Sequence, residues 1–251
     1  LGQDLHDLRQ AQHVRGKCQV MDDLLTELGT KYETDKVHDH HYTPHYHRRF
    51  ESFRHEPITL LEIGVGGYDD PALGGNSLRM WKDYFPNGTI VGLDIADHRD
   101  QTEDRIHIEQ GDQSDPRVLH HLGKTYGPFD IIVDDGSHKV DDIMQSWVVL
   151  WSYLKDGGWY VIEDLQTAYW PAYGGSSART GDSTIGFLQG LIDRIHYAEA
   201  DLVGYNPSRF DESVIGLEIA RNIAFILKGD NTGASNVMPP HPHPKIWKDP
   251  E

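Results

Sequence analysis

Two apolar segments in the middle of the chain each run directly into acidic residues. The segment FDIIV precedes Asp134 and Asp135, and the segment GWYVI precedes Glu163 and Asp164. Short apolar runs of this kind are typical of strands that are buried in a parallel sheet. The carboxyl ends of parallel strands meet at one edge of the sheet, where α/β proteins bind their ligands. The pattern therefore predicts an α/β fold with an acidic crevice.

Strand-like and helix-like patterns alternate along most of the chain. Strands are predicted at 59–63, 89–94, 105–110, 129–133 and 158–162, followed by two closing strands at 214–218 and 222–228. Helices are predicted at 5–29, 44–54, 77–85, 115–126, 141–153 and 183–197, with Gly29 ending the first and Ser77 capping the third. This alternation predicts a mostly parallel, seven-stranded sheet with helices on both faces and an antiparallel closing strand.

The length and composition fit one domain. The chain has 251 residues, of which 37% are hydrophobic, enough for a sizeable core. We expect a single domain made of an N-terminal helical and histidine-rich cap at 1–57, a Rossmann-like core at 58–230 and a tail at 231–251. The tail is rich in Gly, Pro and His, and such a composition buries little apolar surface.

Charge and targeting patterns restrict the partners. The formal net charge is -17 and no basic stripe offsets it, which argues against nucleic acid and anionic membranes. No apolar run is long enough for a transmembrane helix, and the first residues lack the pattern of a secretion signal. We therefore expect no membrane association and a cytoplasmic location, with which the single cysteine, Cys18, agrees.

The acidic strand ends indicate a metal site. If the two strands are neighbours, then Asp135, Glu163 and Asp164 face one crevice together with His138. Carboxylates that are packed together repel one another and are costly to desolvate, and a divalent cation is the usual resolution. Ligand atoms that are all oxygen favour Mg²⁺, Mn²⁺ or Ca²⁺ over zinc. The alternative is that these are ordinary solvated loop residues.

A glycine-rich turn after the first strand indicates a nucleoside site. The segment LEIGVGG places Gly64 and Gly66 where the backbone can approach a ligand closely. Asp94, at the end of the second strand, is placed to bind ribose hydroxyls. Asp112, after the third strand, is similarly placed for the edge of an adenine ring, with Gln113 next to it.

The spacing of this turn argues against a dinucleotide. The usual GxGxxG pattern is missing, and Glu62 and the acidic residues at 69–70 surround the loop. Acidic surroundings suit a cationic ligand better than a pyrophosphate. The loop therefore favours S-adenosylmethionine, which carries a positive sulfonium and amino group.

Five motifs give the chain a family resemblance. The segments LEIGVGG, SLRMW, GLDI, DDGSH and ED, with TDK and HYTP upstream, resemble the metal-dependent sugar O-methyltransferases of antibiotic biosynthesis, which methylate deoxysugars on macrolides and on rhamnosylated polyketides. The resemblance covers about 30–228. The length of the chain favours the rhamnose-type members, which we expect to be single-domain proteins, over the longer macrolide enzymes.

The resemblance implies a class I S-adenosylmethionine-dependent methyltransferase fold and a set of site residues. Asp135, Glu163 and Asp164 would bind Mg²⁺, and His138 would be the general base. The cofactor would contact Glu62, Gly64, Asp94, Asp112 and Asp134. The expected reaction is methyl transfer to a hydroxyl of a rhamnose-like deoxysugar on a glycosylated natural product, with the metal binding two vicinal hydroxyls and His138 removing a proton.

Further residues are candidates for substrate contacts. Tyr42 lies in a histidine-rich segment that is expected to help close the cofactor pocket, and its histidines fit no closed zinc site. Tyr169 and Trp170 follow the second acidic pair and precede a glycine-rich stretch, so they would stack on a sugar as a lid or pack at a subunit contact. We expect a homo-oligomer. The alternatives are a catechol-type methyltransferase, a Rossmann oxidoreductase and a non-catalytic S-adenosylmethionine-binding subunit.

Overall fold

The protein is built around one seven-stranded sheet. The computed structural model describes residues 23–67, 70, 73–177, 182–199 and 205–233. The strands are β1 (Thr59–Ile63), β2 (Thr89–Asp94), β3 (Ile106–Gln110), β4 (Phe129–Asp134), β5 (Leu154–Ile162), β6 (Val214–Ala220) and β7 (Ile223–Lys228). Their order is β3-β2-β1-β4-β5-β7-β6, and β7 runs antiparallel to both neighbours while β1 to β5 pair in parallel. The predicted fold class is confirmed.

Helices cover the sheet and connect its strands. In the described part of the chain they are α1 (Leu24–Lys31), α2 (Asp35–His38), α3 (Thr43–Phe50), α4 (Asn76–Tyr84), α5 (Pro116–Tyr126), α6 (Val140–Leu150) and α7 (Thr184–Ile195). The predicted helix at 5–29 lies mostly outside the described residues, as does most of the tail at 231–251. Among the described residues, no helix is long and apolar enough to cross a membrane.

Two predicted helix boundaries were wrong. Gly29 lies inside α1, which continues to Lys31. The missing side chain at this position lets Val37 pack closely, since a Cβ would lie 2.4 Å from Val37 Cγ2. Helix α4 begins at Asn76 rather than after Ser77, since Gly75 at φ 71 forms the N-cap. Glycine adopts this left-handed conformation at little cost.

Apolar side chains pack on both faces of the sheet. On one face, helices α5 to α7 contribute residues such as Trp147, whose ring centroid lies 5.1 Å from that of Tyr160. On the other face, α3 and α4 bring Tyr46 and Trp81 to a centroid distance of 5.0 Å. The described part of residues 1–57 therefore packs into the core of the second face. The division into cap, core and tail stays a prediction.

The strand order places the candidate site. The chain leaves β1 toward β2 and β3 on one side and returns to β4 on the other, so a crevice forms at the carboxyl ends of the strands beside β1. Asp94 is the last residue of β2, and Asp112 follows β3. Asp135 follows β4, and Asp164 follows β5. All four acids therefore lie at the same edge of the sheet.

Candidate active site

A cavity of about 1070 Å³ opens at this edge of the sheet. Its lining includes most of the predicted site residues, namely Gly64, Gly66, Asp94, Asp112, Gln113, Asp135, His138 and Asp164. The structure thus brings the predicted nucleoside residues and part of the acidic cluster together in one cavity.

The glycine loop after β1 is packed tightly against the loop after β4. Gly64 has φ 94, and a Cβ there would lie 2.1 Å from the carbonyl oxygen of Asp135. The same loop is held by Asp94, whose carboxylate accepts hydrogen bonds from the backbone N–H groups of Val65 at 2.8 Å and Ala96 at 2.9 Å. Each carboxylate oxygen of Asp94 keeps further acceptor capacity toward the cavity.

Gln113 connects the nucleoside side of the cavity to the sheet. Its Oε1 accepts a hydrogen bond from Ser137 N at 2.7 Å, and its Nε2 donates to Asp134 Oδ1 at 3.1 Å. Asp134 is 1% exposed and also accepts from the hydroxyl of Tyr160 at 3.0 Å. Burial raises the pKa of Asp134 to about 7. Asp134 therefore holds Gln113 in place from behind the cavity wall.

Glu62 also lies behind the wall. It is fully buried, and its Oε2 accepts a hydrogen bond from Trp81 Nε1 at 2.9 Å. Burial raises the pKa of Glu62 to about 7. The sequence predicted direct cofactor contacts for Glu62 and Asp134, and the cavity lining includes neither, because both side chains turn into the protein from their strands.

At the acidic part of the cavity, three ligating groups converge. One ligand atom each of Asp135, His138 and Asp164 lies within 4.8 Å of the others, and His138 Nε2 is 3.6 Å from Asp164 Oδ2. His138 and Asp164 have φ 57 and φ 53, in the left-handed region that side chains rarely adopt. Such strain is typical of functional sites and persists only where the surroundings enforce it. The donor set of two carboxylates and an imidazole fits a divalent cation.

Glu163, the third predicted ligand, is not part of the cavity lining. It is 2% exposed, and its Oε1 accepts hydrogen bonds from Lys36 Nζ at 2.8 Å and from the hydroxyl of Tyr46. Burial raises the pKa of the Glu163 carboxyl well above its ordinary value. One carboxylate oxygen of Glu163, Oε1, is therefore already bound by two donors.

Lys36 is the site residue to which the sequence assigned no role. It is 1% exposed, and its Nζ lies 2.5 Å from Asp135 Oδ2 and 3.2 Å from Glu62 Oε1, in addition to its bond to Glu163. Burial acts to lower the pKa of Lys36, but the surrounding carboxylates hold it well above its ordinary value. The TDK motif that contains Lys36 was part of the family resemblance and is the signal that could have found it.

The predicted substrate residues lie in two different environments. Tyr42 is 1% exposed, and its hydroxyl lies 2.9 Å from Asp164 Oδ1, so it supports an acid of the site. Tyr169 and Trp170 are 40% and 47% exposed, outside the cavity lining. His40, one of the clustered histidines considered from the sequence for a zinc site, lines the cavity with its Nδ1 3.5 Å from Asp164 Oδ1.

The strand order, the antiparallel β7 and the glycine loop beside the cavity define a class I methyltransferase fold. A dinucleotide-binding Rossmann domain has the strand order 3-2-1-4-5-6, whereas here β7 is inserted between β5 and β6. Solved structures of the mycinamycin-pathway methyltransferase MycE share this architecture. The structure of MycE with Mg and SAH superimposes with a TM-score of 0.84 at 41% identity, covering 90% of this chain and 58% of that chain. The structure with Mg, SAH and mycinamycin VI gives a TM-score of 0.83.

Curated relatives show what the chain is similar to within this class. Mycinamicin VI 2''-O-methyltransferase from Micromonospora griseorubida is 44% identical over 211 residues, which are 82% of this chain and 53% of that protein. A rhamnosyl tetracenomycin-C 2'-O-methyltransferase from Streptomyces olivaceus is 42% identical over 214 residues, covering 85% of this chain and 57% of that protein. No protein-family model matches the chain. The chain is a homologue of the sugar O-methyltransferases of antibiotic biosynthesis, the family that its motifs resemble.

The chain spans about half the length of the curated relatives that it matches. The covered share is similar for the macrolide enzyme and for the rhamnosyl enzyme, at 53% and 57%. The rhamnosyl relative is therefore also much longer than this chain, and the expectation that chain length separates the two groups was wrong.

Proposed function

We propose that this protein transfers the methyl group of S-adenosylmethionine to a hydroxyl of a deoxysugar, rhamnose-like, on a glycosylated natural product. The observation that carries the proposal is that Asp135, His138 and Asp164 converge in the same cavity as the glycine loop and Asp94. The names of relatives at 40–45% identity, all O-methyltransferases of glycosylated antibiotics, support the choice of a sugar hydroxyl.

The nucleoside part of S-adenosylmethionine is proposed to bind between the ends of β1 and β3. Gly64 and Gly66 let the backbone approach the ligand. Asp94, which already holds the glycine loop through the backbone N–H group of Val65, would accept hydrogen bonds from the ribose hydroxyls. Asp112 and Gln113 line the cavity beside it and would bind the adenine edge.

Asp135 and Asp164 are proposed to hold Mg²⁺, with Glu163 as the third oxygen donor. When bound, Mg²⁺ supplies a Lewis acid that orients a sugar hydroxyl and lowers its pKa. Ca²⁺ and Mn²⁺ have the same preference for oxygen. His138 lies within reach of the same place. We assign it to the proton rather than to the metal, because the family resemblance implies a histidine general base at this position.

His138 is proposed to remove the proton from the sugar hydroxyl. The hydroxyl oxygen forms a bond to the methyl carbon while the bond from that carbon to sulfur breaks, which leaves S-adenosylhomocysteine. The proton passes to His138 Nε2, and the negative charge of Asp164 stabilises the imidazolium that forms. Histidine suits this task because its ordinary pKa is close to neutrality, and such a base contributes about 10²–10⁴-fold in rate.

Methyl transfer from isotopically labelled S-adenosylmethionine tests the proposal. The purified protein is incubated with rhamnosylated polyketides, with the matching aglycones and with catechol, each with Mg²⁺ or with EDTA, and products are identified by mass spectrometry. We expect methylation of glycosides alone, lost in EDTA and restored by Mg²⁺. Methylation of catechol in preference to every glycoside would contradict the proposal. The expected homo-oligomer stays a prediction, which light scattering of the same preparation measures.

A further inference from the structure

The three acids of the proposed metal site are each held by donors from one segment, residues 34–46, here called the cap segment. The hydroxyl of Tyr42 lies 2.9 Å from Asp164 Oδ1 and 3.0 Å from the carbonyl oxygen of Asn222, so its hydrogen is shared between them. The hydroxyl of Tyr46 donates to Glu163 Oε1. Each tyrosine therefore engages one oxygen of one acid.

Lys36 completes this arrangement. Its Nζ donates to Asp135 Oδ2 at 2.5 Å and to Glu163 Oε1 at 2.8 Å. Donors from the cap segment thus reach the acids after β4 and β5, although Lys36 is 99 and 127 positions away from them in the chain.

The donors leave one carboxylate oxygen of each of the three acids free. Among the described residues, no side chain or backbone group donates a hydrogen bond to Asp135 Oδ1, Glu163 Oε2 or Asp164 Oδ2. One oxygen of each acid is therefore occupied and the other is available. A carboxylate with one oxygen bound in this way has lost much of its freedom to rotate.

The donors are themselves held firmly. Tyr42, Tyr46 and Lys36 are at most 1% exposed. The ring of Tyr46 packs against Trp81 and Phe225, at centroid distances of 5.0 Å and 5.3 Å. Side chains that are buried and packed in this way transmit a fixed geometry to the groups that they bind.

We propose that Lys36, Tyr42 and Tyr46 are positioning residues for the metal site. Together they fix one carboxylate oxygen of Asp135, Glu163 and Asp164 and leave the second oxygen of each acid free to bind a divalent cation. This inference rests on the proposed function only in assuming that the cation binds these acids. Partners that orient metal ligands typically change metal affinity by about 10–100-fold when they are removed.

Metal binding in the absence of any substrate tests the inference. Protein stripped with EDTA is titrated with Mg²⁺ by calorimetry, and with Mn²⁺ by electron paramagnetic resonance. Tyr42→Phe and Tyr46→Phe each remove one hydroxyl and keep the ring. We expect both variants to bind Mg²⁺ and Mn²⁺ about 10–100-fold more weakly than the unaltered protein.

The matched control is Tyr84→Phe. Tyr84 is also fully buried in the same core, but its hydroxyl is paired with His47 Nδ1 at 2.8 Å, away from the acids. We expect this variant to keep its metal affinity. Circular dichroism and the affinity for S-adenosylhomocysteine confirm that each variant is folded.

The outcomes separate this inference from the proposed function. Unchanged metal affinity in both Tyr42→Phe and Tyr46→Phe, or an equal loss in Tyr84→Phe, overturns the inference while sugar methylation can still be observed. An unaltered protein that binds neither Mg²⁺ nor Mn²⁺ also overturns it. Conversely, weakened metal binding in the two variants upholds the inference even if no glycoside is methylated, because the readout needs no substrate.

Discussion

The ammonium group of Lys36 lies 2.5 Å from Oδ2 of Asp135. It also lies 2.8 Å from Oε1 of Glu163 and 3.2 Å from Oε1 of Glu62. From the sequence, the repulsion among clustered acids was assigned to a bound metal alone. The structure shows that a buried lysine from the N-terminal region offsets part of that repulsion. A residue from outside the Rossmann-like core is therefore part of the acidic end of the cavity.

Replacing Lys36 with methionine is expected to destabilise the fold strongly. Removal of one partner from a buried ion cluster leaves uncompensated charge, which costs about 3–5 kcal/mol. Urea denaturation followed by circular dichroism measures the free energy of unfolding. The matched control is Lys31→Met, which breaks a surface pair with Asp83 and is expected to have a small effect. An equal decrease in the free energy of unfolding in the two variants would show that Lys36 does not stabilise the buried carboxylates.

His138→Gln is expected to lose most of the turnover while it keeps its cofactor. The loss of a general base lowers kcat by about 10²–10⁴-fold, because glutamine cannot accept the proton. Single-turnover methyl transfer measures the rate, and calorimetry measures the affinity for S-adenosylmethionine. His120→Gln is the control, since His120 bonds Tyr153 at 3.1 Å and does not line the cavity. A His138→Gln variant with normal turnover would exclude the assignment.

Gly64→Ala is expected to abolish cofactor binding, whereas Gly157→Ala is expected to preserve it. Both glycines have positive φ values, 94 and 82, so both substitutions carry backbone strain of about 1–2 kcal/mol. Only at Gly64 does the new Cβ meet backbone, at 2.1 Å from the carbonyl oxygen of Asp135. The difference in S-adenosylmethionine affinity between the variants therefore isolates the steric effect on the loop. Similar affinities would mean that the loop position is not critical.

Glu62 is expected to make the stability depend on pH between 4.5 and 7. Burial raises its pKa in the folded protein from 4.5 to about 7, so in this window the folded state holds a proton that the unfolded state has released. Stability from this group is present at low pH and is lost as the pH rises through the window, by up to about 3 kcal/mol.

Urea denaturation at pH 5 and pH 7.5 measures this contribution. In Glu62→Gln, which keeps an acceptor for Trp81, we expect the free energy of unfolding to change less between the two pH values than in the unaltered protein. Glu103→Gln, at a partly exposed ion pair with Lys82, serves as the control. If Glu62→Gln retained the full pH dependence, another group would be responsible.

Much of the sheet and of the nucleoside site could be predicted from the sequence because the signals are local. Apolar runs mark β1 to β5, and the glycine loop and the acids follow the strands at positions that a parallel sheet brings to one edge. Asp94, Asp112, Asp135 and His138 accordingly lie where they were expected, in the cavity lining.

The directions of the side chains could not be predicted in the same way. Consecutive residues at a strand end point to different sides, and which of them reaches the cavity depends on what packs against the sheet. Glu62 and Asp134 turn into the protein, where Trp81 and Tyr160 bind them. One oxygen of Glu163 is held in a similar way by Tyr46 and Lys36. Each of these contacts joins different elements, and the residues lie between 19 and 127 positions apart in the chain.

The sequence by itself therefore determined the strands, the glycine loop, the acidic strand ends and the family resemblance, since each depends on a short pattern of residue types. Only the tertiary structure decided which acids line the cavity and which acids contact Lys36, and Asp135 does both. The physical reason is that a buried charge takes its orientation from its counter-charges, and for Asp135 and Glu163 the counter-charge is Lys36, 99 and 127 positions away in the chain.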